Sequence, residues 1–266
     1  MKWKEQAVIL GVRQYGETSV ILEIMTRERG RYMGVVKGGH SRRMAALLQP
    51  GNFVEAEWWA RLEEHLGLFR LEALDLHAAR LICLPEALYA LQLIAFHLRL
   101  LPERDPHPVL YDILHLFIQN FDEPFINAEL LVRFEMRLLE EFGFGLDLSC
   151  CAATGRREKL YYVSPKSGRA VCEEAGESWK KKLLILPQFL VQRATRPADF
   201  RDIINGFNLT GFFLMRHVWE PRDIKQPSVR MNLMQLFERR FGIQPFIRWS
   251  DNNGIKWENE NFKNNC

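Results

Sequence analysis

The 266-residue chain lacks most of the features that mark an enzyme or a membrane protein. No apolar run approaches the ~18 residues of a membrane span, and the stretch Ala7 to Val12 behind Met1-Lys2-Trp3-Lys4-Glu5 is too brief for a secretory leader. A cytoplasmic protein with no membrane association is therefore expected. No phosphate-cradling G-x-x-x-x-G-K-[ST] is present, since Lys37-Gly38-Gly39-His40-Ser41 has neither the spacing nor the lysine placement. H-E-x-x-H and G-x-S-x-G are absent as well. Cysteine is scarce: Cys83, Cys150, Cys151, Cys172 and Cys266 are odd in number and irregularly spaced, which suits a reducing compartment better than a disulfide framework. Net charge is only +3, so the chain as a whole has no strong polyelectrolyte character.

What charge there is lies in one place. Two apolar runs, Val20 to Met25 and Tyr32 to Val36, flank Thr26-Arg27-Glu28-Arg29-Gly30-Arg31, and both are rich in β-branched residues, as hairpin strands are. From Thr26 to Arg43 the cations Arg27, Arg29, Arg31, Lys37, Arg42 and Arg43 face one anion, Glu28, so this segment carries +5 and the remainder of the chain −2. A basic hairpin with Tyr15 and Tyr32 nearby suits a surface that binds nucleic acid without reading sequence. Lysine and arginine neutralise phosphates and release counterions, and aromatic faces stack unpaired bases at about 1–3 kcal/mol each. His40 adds a further phosphate donor. The alternative is a solvated hairpin edge whose charge only keeps it soluble.

Strands are expected at Glu5–Val12, Thr18–Met25, Arg31–Lys37, Asn52–Leu62 and Leu66–Leu74. The fourth alternates Val54, Ala56, Trp58, Ala60 and Leu62 against Glu55, Glu57 and Arg61, so one face is buried and one wet. Short strands with close turns fit a small closed barrel, and periodicity alone does not separate an OB-fold from an SH3-like barrel. Met44–Gln49 is expected to form a short helix plugging it. After about Asp75 the period changes to 3.6. Helices are expected at Pro85–Leu101, at Pro108–Asn120, and from an Asn127 cap through Leu131, Phe134, Leu138 and Phe142 to Gly143. Asp147–Gly176 reads as irregular and β-prone. Helical signal returns at Glu177–Phe189, Pro197–Trp219 and Ser228–Phe241.

Several of these stretches share an order and spacing with a known family. Gly16-Glu17-Thr18, Thr26-Arg27-Glu28-x-Gly30, Lys37-Gly38-Gly39, Leu48-Gln49-Pro50-Gly51, Ala60-Arg61-Leu62 with Leu66-Gly67, Gly143-Phe144-Gly145-Leu146-Asp147-Leu148, Thr154-Gly155, Tyr162 to Val171 and Thr210-Gly211-x-Phe213-Leu214 resemble the RecO family of bacterial DNA repair proteins. The resemblance spans nearly the whole chain except about the last twenty residues. It implies an α+β protein: a five-stranded OB-fold barrel over residues 1–78, then an α-helical domain over 79–248 containing a degenerate zinc-finger-like insert at 147–176. A disordered tail is expected at 249–266.

The resemblance also implies a non-enzymatic, nucleoid-associated recombination mediator without cofactor. Proteins of this kind bind single- and double-stranded DNA and anneal complementary strands. With RecR they load RecA onto DNA coated by single-strand-binding protein (SSB). The acidic, hydrophobic C-terminal tail of SSB would dock on the helical domain, where Arg133 and Arg137 flank Phe134; these arginines also read simply as the wet face of a helix.

Some members of the family carry a zinc module of two CxxC pairs at 147–176. Here the pairs read Cys151-Ala152-Ala153-Thr154 and Cys172-Glu173-Glu174-Ala175, each without its second thiolate, and no histidine lies between Asp147 and Gly176. Even with Cys150 the tetrahedral ligand set is incomplete, so no metal is expected and purified protein should hold well under one equivalent of zinc. Two rival functions remain at this level. An OB-fold could serve structured RNA, or Glu140, Glu141 and Asp147 could bind a divalent metal for nuclease chemistry, although adjacent carboxylates on a helix point about 100° apart.

Overall fold

The computed structural model describes residues 1–62, 64–191 and 199–242. The chain divides after Leu138 into two compact units.

The first unit opens with strands β1 (Lys2–Tyr15), β2 (Ser19–Thr26) and β3 (Gly30–Val36), a short helix α1 (Arg42–Leu47), and strands β4 (Phe53–Trp59) and β5 (Leu68–Asp75). The strands close into a barrel in the order β1-β2-β3-β5-β4. Because β1 is 14 residues long, it pairs with β4 along Lys2–Val8 and with β2 along Ala7–Tyr15. The ring closes where Val35 of β3 meets Leu68 of β5 in parallel. This order, with a helix between the third and fourth strands, is that of the OB-fold and settles what periodicity left open.

Alternate residues fill the barrel: Trp3, Ala7 and Ile9 from β1, Val20, Leu22 and Ile24 from β2, and Val54, Ala56 and Trp58 from β4. Trp3, Tyr32, Trp58 and Phe69 meet at centroid distances of 5.0–6.0 Å, each such pair contributing about 0.5–1.5 kcal/mol beyond its area. Leu48 seals the interior, with Met44 and Leu47 packed against it, so α1 acts as the expected plug. β4 ends at Trp59, earlier than expected, and Leu62 is exposed.

β2 departs from half-buried alternation. Its outward residues Ile21, Glu23 and Met25 are buried as well as its inward ones, because the unit continues into helices α2 (Ala78–Leu81), α3 (Pro85–Leu98), α4 (Pro108–Gln119) and all but the last turn of α5 (Pro124–Glu141), of which α3 packs on β1 and α4 on β2. Leu91, Ala95 and Leu98 of α3 and Leu110, Leu114 and Phe117 of α4 are buried as their spacing requires. α5 begins at Pro124 rather than at an Asn127 cap. Proline is suited to a first helical turn that has no use for its missing N–H, and Asn127 is a buried residue inside the helix. Gly143, at φ 83°, ends it as expected.

The second unit holds a three-stranded sheet of order β7-β6-β8, made of β6 (Leu160–Val163), β7 (Ala170–Cys172) and β8 (Leu184–Ile185), with the four-residue helix α6 (Glu173–Gly176) between β7 and β8. β6 and β7 form the expected hairpin, closed by Gly168 N–H donating to Ser164 O at 2.9 Å. The helix expected at Glu177–Phe189 is instead a 3-10 turn, Glu177–Lys182, followed by β8, since pairing with Tyr162 and Val163 of β6 outweighs local helix preference. Helices α7 (Phe200–Leu214) and α8 (Ser228–Phe241) complete the unit. α7 starts at a capping box made by Asp199 and Asp202. The tail at 249–266 lies outside the described residues.

Candidate nucleic-acid interface

The β2–β3 hairpin turns through Thr26, whose hydroxyl donates to Gly30 O and accepts from Arg29 N–H, both at 3.2 Å. Its three arginines are all paired. Arg27 grips Asp112 of α4 with two bonds, 2.9 and 3.1 Å, and Glu28 at 2.8 Å; Asp112 first and Glu28 second raise its already high pKa. Arg29 meets Glu5 at 2.9 Å and lies over the Trp3 ring. Arg31 is almost buried, held by Glu23 at 3.1 Å, Glu103 at 3.4 Å and the Leu101 carbonyl at 3.3 Å. A carboxylate thus faces each guanidinium that the sequence offered to phosphate at the hairpin tip.

The continuation of the hairpin is different. Lys37, His40, Arg42 and Arg43 are exposed, and among the described residues no carboxylate pairs with any of them. The turn after β3 is fixed by Ser41 N–H donating to Gly38 O at 3.0 Å, and the Ser41 hydroxyl caps α1 by accepting from Met44 N–H at 3.4 Å. Arg42 and Arg43 therefore occupy the first turn of the plug helix and are exposed there. Val20 pairs with both Val36 and Gln14, and Tyr15 pairs with Ser19, so the β1–β2 turn lies at the same end of the barrel as Lys37. Tyr15 is 52% exposed there. Tyr32 is not available to a base: it is buried in the aromatic core, with the Arg104 guanidinium 4.7 Å from its centroid.

Sequence reasoning missed the groups that neutralise the tip. Glu23 is 9% exposed and receives Arg99 at 2.6 and 2.9 Å as well as Arg31. Two signals pointed to it. A lone carboxylate inside Val20-Ile21-Leu22-Glu23-Ile24-Met25 has to be paired if it is buried, and a glycine inside a strand marks a bulge or a close approach. Gly11 does both: the β1–β2 register shifts at Ile9/Gly11, and a Cβ on Gly11 would lie 2.9 Å from Arg99 Nη2.

On α5, Arg133 pairs with Glu129 one turn away at 2.8 Å, and Arg137 is partly buried. Phe134 is fully buried and stacks on His97 at 6.4 Å, so the apolar groove expected around it does not open to solvent. It shares the stripe of Leu131 and Leu138, and that stripe faces the core.

In the cysteine segment, Cys151 and Cys172 are buried and Cys172 N–H donates to Cys151 Sγ at 3.2 Å. Burial pushes the Cys151 thiol up, but the Thr154 hydroxyl and the N–H groups of Cys172, Thr154 and Ala153 together draw it down to about 7. Thr154 stands where a second thiolate would, and approaches Cys172 Sγ at 3.7 Å. Among the described residues no group of three or more His, Cys, Asp or Glu converges to hold a metal. Asp147, the third carboxylate of the nuclease reading, bonds to Ser149 and Arg169, which hold its pKa below the usual range.

Residues 1–76 match the family described as Recombination protein O N terminal, and residues 84–223 the family described as Recombination protein O C terminal. The second match alone covers more than half of the chain. The chain belongs to the RecO family. The DNA repair protein RecO of Bartonella tribocorum is 94% identical over 247 residues, covering 93% of this chain and 100% of that protein. That of Bartonella quintana is 86% identical over 241 residues, 91% of this chain and 99% of the relative, and that of Brucella abortus 56% over 243 residues, 91% and 98%. In this RecO-family chain no described helix is long and apolar enough to cross a membrane.

Proposed function

We propose that the chain is a non-catalytic recombination mediator that holds DNA by its backbone at the plugged end of the barrel, through Lys37, His40, Arg42 and Arg43, with Tyr15 offering a face to an unpaired base. The observation that carries this reading is that these four side chains are exposed and meet no carboxylate among the described residues, whereas Arg27, Arg29 and Arg31 do. The covering of β2 favours the same end. An OB-fold commonly binds ligand across strands 2 and 3 and the adjoining loops; the outer face of β2 is buried here, which leaves the loops. Tip arginines act indirectly, by fixing the hairpin on which Lys37 is mounted.

Finer steps follow from family membership. Two strands held on one cationic protein are brought together with phosphate repulsion screened and bases free to pair, which is annealing. With RecR, the chain would load RecA onto DNA coated by SSB. Docking of the SSB tail on α5 would rest on Arg133 and Arg137, without Phe134; fluorescence polarisation with a tail peptide tests this, and an affinity unchanged by Arg133→Ala/Arg137→Ala excludes the site.

The deciding experiment is a salt series with DNA oligonucleotides of unrelated sequence. Lys37→Ala/Arg42→Ala/Arg43→Ala should weaken binding to all of them alike and flatten the single-strand salt slope by about 2, at ~0.7 per phosphate contact. An unchanged slope removes these residues from the interface. Competition between DNA and RNA tests which polymer is preferred.

A further inference from the structure

The register of β1 turns one more cation toward solvent than the loop site uses. Trp3, Ala7 and Ile9 point into the barrel, and unbroken alternation would carry Gly11, Arg13 and Tyr15 inward after them. The bulge prevents this. Ile9 faces Ile24, but with Leu10 as the extra residue Gly11 faces Glu23, Arg13 faces Ile21 and Tyr15 faces Ser19. These partners are on the outer side of β2, since a one-residue slip sends every later side chain to the opposite face. Ile21 in turn pairs with Val35 of β3, and Lys37 follows two residues on.

The helix cover stops just short of this row. Arg99, immediately past α3, bonds to Glu23, and a Cβ on Gly11 would lie 2.9 Å from its Nη2. One step nearer the loops, Arg13 and Tyr15 are exposed. Arg13 Nη2 donates to Met33 Sδ of β3 at 3.8 Å, so its side chain lies across β2. A thioether is a weak and uncharged acceptor, and among the described residues no carboxylate pairs with Arg13. It shares the condition of Lys37, not that of Arg27, Arg29 and Arg31. Strands lie about 4.8 Å apart and residues two along a strand about 6.7 Å, which puts the backbones of Arg13, Tyr15 and Lys37 within about 12 Å of one another.

We propose that Arg13 is a further phosphate contact, and that a single strand held at the loops runs on across Tyr15 onto the outer face of β1, one base stacking on the Tyr15 ring between phosphates at Lys37 and Arg13. This rests on the reading that the loop residues bind DNA, and it gives their site a direction. The floor between the cations is made of Ile21 and Val35, whose side chains offer base edges no donor or acceptor. Grip on this face therefore comes from backbone charge and stacking, which tolerate any sequence. A duplex hides its base faces and gains only the charge.

A salt series of the full chain with oligothymidylate tests it. Arg13→Gln keeps most of the stem without the charge and flattens the single-strand slope by about 0.7, whereas Arg13→Lys keeps the charge and the wild-type slope. Added to the loop triple variant, Arg13→Gln deepens its loss from about 2 to about 2.8. Tyr15→Ala weakens single-strand binding about fivefold or more, and weakens it more than binding of blunt duplex. An unchanged slope in Arg13→Gln overturns the proposal. Equal flattening in Arg13→Gln and Arg13→Lys overturns it as well, since what was lost would then be packing over Ile21 and not charge. If the loop triple flattens the slope and Arg13→Gln does not, this inference falls and the loop site stands. If Arg13→Gln flattens it and the loop triple does not, the loop reading falls and the contact on β1 is kept without it. If neither does, both fall.

Discussion

The tip of the β2–β3 hairpin and the stretch that follows it carry three lysine or arginine residues each and are opposite in state. At the tip, Arg27, Arg29 and Arg31 are met by Asp112, Glu5 and Glu23. In the loop, Lys37, His40, Arg42 and Arg43 meet none among the described residues. The difference is one of solvation and partners rather than of charge density. A guanidinium already bonded to a carboxylate must break that bond to take a phosphate, so it adds little net affinity, whereas a solvated lysine releases a counterion from DNA at small cost. The outer face of the β1 and β4 strands repeats the tip's pattern: Lys2 pairs with Glu57, and Lys4 with Glu55 at 2.7 Å. Where β1 runs beside β4 the barrel therefore balances its own charge as the tip does.

The largest effect that should separate the two regions is on stability. Glu23→Ala leaves Arg99 without its anion and Arg31 with only Glu103 and the Leu101 carbonyl. It should lower the unfolding free energy by about 2–3 kcal/mol, less than the 3–5 kcal/mol of a fully buried pair because Arg99 is half-exposed. Its salt slope for DNA should match the wild type once both are folded; a flattened slope would mean that the tip takes part in binding. The loop triple variant should show the reverse, melting as the wild type does while losing about tenfold to a hundredfold in DNA affinity at low salt. Thermal melts and salt titrations of both proteins complete the cross-comparison.

How far the sequence could be read follows from the same contrast. The barrel strands, the plug helix and the hairpin at β6–β7 were legible because their signals are local: alternation in Val54, Ala56 and Trp58, turn residues at Gly30 and Gly168, the run Met44 to Leu48. Barrel closure was not legible from alternation, since it depends on Val35 meeting Leu68. The availability of each cation was not legible either. Arg27 lies 85 residues from Asp112 and Arg99 lies 76 from Glu23, and counting charge along a segment cannot see partners supplied by α3 and α4. Phe134 shows a different limit: assigning it to both a core stripe and a surface groove asked one side chain to point two ways, and burial decided for the core.

The smallest and sharpest effects come from unpairing one tip arginine. Arg27 is half exposed and bonded to Asp112, so it is the tip cation nearest to the condition of the loop. Arg27→Ala removes a guanidinium that is already neutralised and should change DNA affinity by no more than about twofold. Asp112→Asn keeps the side chain's shape but removes its charge, leaving Arg27 with the exposed Glu28 alone. Affinity should then rise, and the single-strand salt slope should steepen by at most about 0.7, the value of one added phosphate contact. A combined Arg27→Ala/Asp112→Asn protein should return to the wild-type slope, because the gain depends on the released guanidinium and not on the lost carboxylate. If Asp112→Asn steepens the slope and the double variant stays steep, the carboxylate was acting by repelling DNA directly. If Arg27→Ala alone costs as much as the loop triple, pairing does not silence a cation and the distinction between the two regions is void.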